Sequence, residues 1–361
     1  MMSVKSHFQV NMSFLTSPPV SLCILRLSAI GDVTHVLPML NCIRRQWPEC
    51  SITWIIGKLE YQLVHDIPGI EFIIYDKSTG NKANKQLKET LKNQHFDVLL
   101  HMQISLRASL ASRHIHATHR IGFDFKRARN FQWLFTNRKI PFVPKQHVLD
   151  SFLEFAKVMG VNTDIIEWNI PVPEEDKAII QQSVPEDNYV VINPSASNAV
   201  RNWGADHYAT MVDFLYEKYN LHTVLSGGPS QTELTLSQEI AQECHHKPTI
   251  LTGKTSLKQL AALLQRARLV IAPDTGPAHI ANAMGTKVIG LYANSNPYRT
   301  GPYSCIEYTA NKYPQALMET YGKSVEDVRW GRRVRRDDIM EFINKDDVIE
   351  KIDEALVNHD F

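Results

Sequence analysis

The chain has 361 residues, 43% of them hydrophobic, enough for two ordinary domains, each with its own core. Its 39 basic and 38 acidic side chains leave a formal net charge of +1, which argues against a general nucleic-acid binder, whose counterion-releasing contacts need a cationic excess. No stretch approaches the roughly 20 apolar residues of a membrane span, and the five cysteines are odd in number, irregularly spaced and without a CxxC, as free thiols of a reducing compartment are.

Residues 1–20 lack the apolar core of a secretion signal and include Ser17-Pro18-Pro19; they read as a disordered lead to a cytoplasmic protein. Strand-like and helix-like segments alternate from Leu22. Leu22–Leu27 is an apolar run, a helical pattern covers Val33 to Trp47, and strands are expected at Ser51–Ile56, Glu71–Tyr75, Asp97–His101 and Arg120–Phe123. The rhythm breaks between Trp168 and Asn188, where Pro171, Pro173, Pro185 and several acidic residues suggest a linker. It restarts at Tyr189–Asn193, with further strands at His222–Ser226, Thr249–Leu251, Arg268–Ala272 and Lys287–Tyr292, and a helical tail from Tyr313 to Asn358. The expected architecture is α/β: two Rossmann-like, doubly wound halves, 21–175 and 176–345, then a C-terminal helix over 346–361. Such sheets bind ligands beyond the carboxyl ends of their strands, so two of them make a cleft.

In the second half, Arg268–Ala272 runs into Pro273 and then Asp274-Thr275-Gly276-Pro277-Ala278-His279. Proline suits a first helical position, and Gly285 suits the helix end. Free amides at such a helix start attract a diphosphate, Gly276 admits close approach, and Thr275 adds a hydroxyl. An ordinary reading stands beside this one: Asp274 as a mere N-cap and His279 as a packed histidine. A second turn-rich loop, Asn296 to Tyr303, carries Arg299 at the same sheet end. In the first half, Ser28-Ala29-Ile30-Gly31-Asp32 follows the first strand. Asp32 either stabilises the helix dipole or serves as a general base, and spacing alone favours the former. The absence of GxGxxG leaves hydride transfer little support.

Leu25-Arg26-Leu27-Ser28-Ala29-Ile30-Gly31-Asp32-Val33 with Leu37-Pro38 resembles the opening of the ADP-heptose:lipopolysaccharide heptosyltransferases, glycosyltransferase family 9. Asp274–His279 resembles that family's donor-diphosphate motif, and Asn296-Pro297 with Arg299–Pro302 its following loop. The resemblance implies a GT-B fold, no cofactor and no metal (this chain has no DxD), and inverting transfer of heptose from ADP-heptose to a Kdo–lipid A type acceptor. It further implies Asp32 as base, Gly31 in the same turn as a donor-binding residue, and Thr275, Gly276 and His279 on the diphosphate. Asp274 would hold the turn or the heptose hydroxyls. Arg201, before Trp203, stands where many members carry Lys and would stabilise the departing ADP; Glu233 would hold the ribose or is an exposed first-turn glutamate. Acceptor contacts are expected from Gln103, Arg107 and Arg120, though each alone is most often a solvated surface group. The basic run Arg329–Arg336 has two readings, contact with the anionic inner-membrane surface or a helix end that caps the fold. Alternatives to Kdo transfer are addition to an existing core heptose, a GT-B sugar-nucleotide epimerase, and a non-catalytic sugar-nucleotide binder.

Overall fold

The computed structural model describes residues 14–357. Its first half contains strands β1 (Ser21–Leu25), β2 (Ser51–Gly57), β3 (Ile70–Tyr75), β4 (Phe96–His101), β5 (Ala117–Gly122) and β6 (Arg138–Lys139). The second contains β7 (Tyr189–Ile192), β8 (His222–Leu225), β9 (Thr249–Ile250), β10 (Leu269–Pro273), β11 (Val288–Tyr292) and β12 (Thr309–Asn311). Helices α1 (Ile30–Gln46), α2 (Lys58–Val64), α3 (Asn81–Leu91), α4 (Leu106–Ser112) and α5 (Val148–Lys157) belong to the first half. Helices α6 (Glu174–Ser183), α7 (Ala205–Tyr219), α8 (Gln231–Glu243), α9 (Leu257–Arg266), α10 (Gly276–Ala283), α11 (Pro297–Thr300), α12 (Tyr313–Tyr321) and α13 (Lys345–Val357) follow.

The strand orders are β3-β2-β1-β4-β5-β6 and β12-β11-β10-β7-β8-β9, the same winding in each half, with parallel pairing throughout, for instance Leu22 opposite Val98 and Val270 opposite Val191. Helices cover both faces of each sheet, so the central strands are buried on both sides and read as unbroken Val/Ile/Leu runs. In such an order the winding reverses between β1 and β4, and between β7 and β10, which opens a crevice at the carboxyl ends of those four strands.

Three details depart from the sequence-based expectation. The Trp168–Asn188 stretch is not a bare linker: α6 lies inside it and packs on α9, with Glu174, Glu175 and Asp176 in its first turn, where carboxylates favour the helix dipole. The tail is not continuous helix, since 322–344 is mostly irregular and held by contacts such as Trp203 Nε1 donating to the Ile343 carbonyl at 2.9 Å. Residues 1–13 of the expected lead lie outside the described residues, while 14–20 are anchored: Val20 N donates to Asp97 Oδ2 at 2.7 Å, and the Phe14 ring meets His119 edge-on. Helix α13, the expected C-terminal element, packs on α7, β11 and β12 of the second half.

The two halves do not keep entirely separate cores either. One apolar cluster runs from Val33 and Val36 of α1, Leu63 of α2 and Phe152 of α5 into Leu260 and Leu264 of α9 and Ile280 of α10. The physical reason is that α1 and α2 present their apolar faces to α10 and α9 across the seam. A polar tie reinforces it: buried Lys258 donates to Asp66 Oδ1 at 2.5 Å and to the Pro171 carbonyl at 2.6 Å. Lys258→Ala strands both acceptors and is expected to cost about 1–3 kcal/mol. Urea unfolding checks this, and an unchanged midpoint would mean that the tie contributes nothing to stability.

Candidate active site

Every strand flanking the two switch points ends in one of the polar turns singled out in the sequence. β1 leads to Arg26 and Asp32, β4 to Gln103, β7 to Asn193 and Arg201, and β10 to Asp274–His279. The helix starts of α1 and α10 then meet across the seam. A Cβ on Gly276 would lie 3.3 Å from Ile30 Cβ, and one on Gly31 would overlap the His279 ring. Glycine at both positions is thus what lets the two helix ends approach.

Asp32, a third exposed, sits in the first turn of α1. Its carboxylate accepts from the Ala29 N–H at 3.3 Å and is ion-paired with Arg26. Arg26 also donates to the Met102 carbonyl at 2.6 Å, so the cation that holds Asp32 is itself fixed by the loop after β4. Gln103 completes this wall: its Oε1 accepts from Leu27 N (2.7 Å) and Ser28 N (3.2 Å), and its Nε2 donates to Ser28 Oγ (3.0 Å). Gln103 therefore shapes the turn before Asp32.

Opposite, Thr275 is the N-cap of α10, yet its hydroxyl makes no cap hydrogen bond. Thr275 Oγ1, His279 Nδ1, Arg201 Nε and Asn296 Nδ2 are all buried and have no hydrogen-bond partner among the described residues. Orphaned polar atoms are costly, so four of them around one helix start, beside its own free amides, fit an anionic ligand that supplies acceptors. Asp274 is differently placed. It is buried, accepts from Ser295 Oγ at 2.9 Å, and lies 3.7 Å from both Arg201 Nη1 and His279 Nε2, while Arg201 donates to its carbonyl. Burial pushes its pKa up, but His279, Arg201 and Ser295 together outweigh burial and hold the carboxyl below its usual range. Its oxygens are thus committed to orienting Arg201 and His279.

Three further expected residues are not brought to this centre with free side chains. Arg120 lies within β5, and its guanidinium donates to the carbonyls of Phe135 (2.8 Å), Ser112 (2.8 Å) and Ile115; it is an internal brace, corrected from a candidate acceptor contact. Glu233 accepts from Gly228 N (2.6 Å) and Ser230 Oγ (3.0 Å), which shapes the turn after β8. Arg107 is exposed on the first turn of α4. The Arg329–Arg336 run is tethered at two points, with Trp330 Nε1 donating to the Gln146 carbonyl at 2.8 Å and Val334 buried, while its arginines stay exposed and Arg336 pairs locally with Asp338.

Sequence reasoning missed several neighbours. Arg299 sits in the quoted loop, but its largely buried guanidinium, packed against Gly331, was not legible there. Burial lowers its pKa, and the carboxylates of Asp32 and Asp274 oppose that effect, so this one cation is felt by both walls. His35 and His147 were also missed. The His35 ring stands edge-on to His279 (centroids 4.7 Å apart) and to His147 (5.3 Å). His147 Nε2 donates to the Gly301 carbonyl at 3.0 Å and its Nδ1 accepts from Leu149 N at 3.0 Å, which fixes a neutral tautomer. Burial pushes His35 far down and His147 down to about 4, with neighbouring positive charge adding to both.

These contacts generate two expectations. Gly31→Ala drives a methyl into a His279 ring that cannot turn aside, because His35 backs it; kcat/KM is expected to fall about 10²-fold with far-UV circular dichroism unchanged. Wild-type kinetics would show that the close approach is not needed. Because folded His147 binds its proton only near pH 4 while an unfolded imidazole does so at 6.5, stability is lost as pH falls through that window. Melting midpoints between pH 7 and 4 should drop less steeply in His147→Asn.

Residues 85–318 match glycosyltransferase family 9 (heptosyltransferase). The lipopolysaccharide core heptosyltransferase OpsX of Haemophilus influenzae is 40% identical over 341 residues, 94% of this chain and 97% of the relative. Lipopolysaccharide heptosyltransferase 3 of Escherichia coli is 25% identical over 300 residues, 78% of this chain and 87% of the relative. Among solved structures, a family 9 glycosyl transferase from Veillonella parvula superimposes with TM-score 0.77 at 23% identity, covering 94% of this chain and 97% of that one. The E. coli heptosyltransferase WaaC with ADP gives TM-score 0.71 at 20% identity, covering 93% and 99%. The fold is GT-B, two Rossmann-like units, and the chain belongs to glycosyltransferase family 9.

Proposed function

We propose that this member of glycosyltransferase family 9 transfers L-glycero-D-manno-heptose from ADP-heptose to the Kdo–lipid A inner core of lipopolysaccharide, with inversion at the anomeric carbon. The observation that carries the reading is the juxtaposition of the Asp32 turn, its carboxylate paired with Arg26, with the orphaned polar atoms of Thr275, His279 and Arg201. The 40% identity to a lipopolysaccharide core heptosyltransferase, over nearly all of both chains, supports the donor and pathway class. Residues 21–175 then serve as the acceptor half, and 176–345 as the donor half.

In the proposed step Asp32 takes the proton of the acceptor hydroxyl. That oxygen forms a bond to the anomeric carbon as the bond from this carbon to the diphosphate oxygen breaks. ADP departs with the electron pair, and its growing charge falls on the amides of α10, the Thr275 hydroxyl and Arg201. Arg299 bridges the two walls electrostatically and serves the same charge. Asp274 acts as a positioning residue. Gln103 shapes the base's turn, and Arg107 stands at the rim. Glu233, by ordering Gly227-Gly228, presents the loop where the donor's ribose would lie. Work on a lipid-anchored acceptor implies a cytoplasmic protein in peripheral contact with the anionic inner-membrane surface.

Mass spectrometry of the protein incubated with ADP-heptose and Kdo–lipid A should show one added heptose on the lipid. An intact donor whatever the acceptor would leave a sugar-nucleotide binder, and product only with an already heptosylated core would move the acceptor one sugar outward. Asp32→Asn should lower kcat by about 10²–10⁴-fold while ADP affinity stays unchanged. Thr275→Val should instead weaken ADP binding by about 1 kcal/mol. Isothermal titration with ADP separates these two effects.

A further inference from the structure

Segment 123–145, between β5 and α5, holds the largest concentration of exposed apolar side chains in the described structure. Phe125 is 67% exposed, Phe131 64%, Leu134 63%, Trp133 44% and Phe142 43%. A monomer rarely leaves so much contiguous aromatic surface in water without a use for it. The same segment carries six basic side chains and one acidic one (Asp124, already paired with Arg127), in a chain whose total charge is only +1. Charge and aromatics are interleaved in space as well as in sequence: Lys139 Nζ lies 3.4 Å from the Phe125 ring centroid, and Lys126 Nζ 4.3 Å from that of Phe142. The backbone beneath is firm. Gln132 is wholly buried and donates to the His101 carbonyl at 2.8 Å, and Asn130 donates to the Ile104 carbonyl at 3.0 Å, so Phe131 and Trp133 flank a fixed point. Leu106 and Leu110 of α4, which packs on this turn, extend the apolar surface.

The placement is functional. The segment leaves β5 at its carboxyl end, on the side of the sheet where β1 delivers Asp32, and β6 returns parallel so that Phe142 rises on the same side. Aromatic rings with cations stacked on them match a bilayer interface: the rings settle at headgroup level and the ammonium groups meet lipid phosphates. A second copy of the chain is a poor occupant, because a two-fold interface would set like charge against like charge.

We propose that segment 123–145 is a membrane-docking surface for anionic phospholipid bilayers, which seats the rim of the cleft on the lipid sheet. The lipid-linked acceptor then reaches Asp32 without leaving the bilayer; this rests on the functional reading above and replaces Arg329–Arg336 as the place of contact. The test is co-sedimentation of the full chain with vesicles of phosphatidylethanolamine and phosphatidylglycerol, compared with phosphatidylcholine alone. Wild type should partition onto the anionic vesicles and come off as salt rises. The triple variant Phe125→Ser, Phe131→Ser, Trp133→Ser, and separately Lys126→Gln with Lys139→Gln, should each partition at least about tenfold more weakly. All five side chains are exposed or rim-placed, and near-UV circular dichroism verifies folding. Trp133 emission should shift to the blue on anionic vesicles in a chain whose other tryptophans are replaced by Phe. Transfer to a deacylated, soluble acceptor should be unchanged in the triple variant, while transfer to vesicle-embedded acceptor falls. Equal binding by variants and wild type, equal binding to neutral vesicles, or loss of a wild-type dimer in the triple variant would each overturn the proposal. Vesicle binding that behaves as expected, without transfer to any acceptor, would support the surface and sink the functional reading instead.

Discussion

Two helix starts point at one another across the seam, and the rest of the site follows from that arrangement. Each carries the equivalent of about half a positive charge, and α1 and α10 bring these ends within side-chain contact at Ile30, Gly31, Gly276 and His279. Arg26, Arg201 and Arg299 add three guanidinium groups to the same small region. Left alone, so much positive potential would drive the halves apart. Asp32 and Asp274 answer part of it, one on each wall, and each is held by an arginine from a neighbouring turn. The orphaned donors mark what is still lacking, a multivalent anion. Electrostatic demand, packing and substrate class are therefore one constraint seen at three levels.

The histidines solve a companion problem. The seam needs polar side chains near the diphosphate site, yet further charge there would be prohibitive. His35, His147 and His279 fill the space as rings packed edge to face, with burial keeping the first two neutral. His147 then ties the N-cap of α5 to Gly301, so one ring couples first-half packing to the loop that carries Arg299.

Much of this was legible in the sequence because the relevant signals are local. Central strands buried on both faces show up as apolar runs, and the turns at Asp32 and Asp274 are flagged by glycine, proline and a carboxylate within a few residues. β6 and β12 escaped notice because they are both short and polar, Arg-Lys and Thr-Ala-Asn, whereas the equally short β9 is flagged by the apolar Ile250-Leu251. Arg120 shows the limit of reading cations by type: in sequence, an arginine saturated by carbonyls looks the same as one awaiting a ligand. His147 had no local signal at all, since its partner lies 154 residues away. The acidic stretch at 174–176 was visible, but only the fold reveals that it starts a helix rather than loosening a linker.

The apolar cluster that crosses the seam bears on how such proteins can be rebuilt. Exchanging one Rossmann-like half for that of another transferase, in order to pair a new acceptor with the old donor, treats the halves as separable cartridges. Here Leu63 and Phe152 share a core with Leu260 and Ile280, and Lys258 reaches across to Asp66. A chimera cut near residue 175 would inherit half of that core and an unmatched ammonium. The natural unit of exchange in this chain is smaller: a rim segment such as 123–145, together with the loops after β1 and β4, grafted onto an intact pair of sheets.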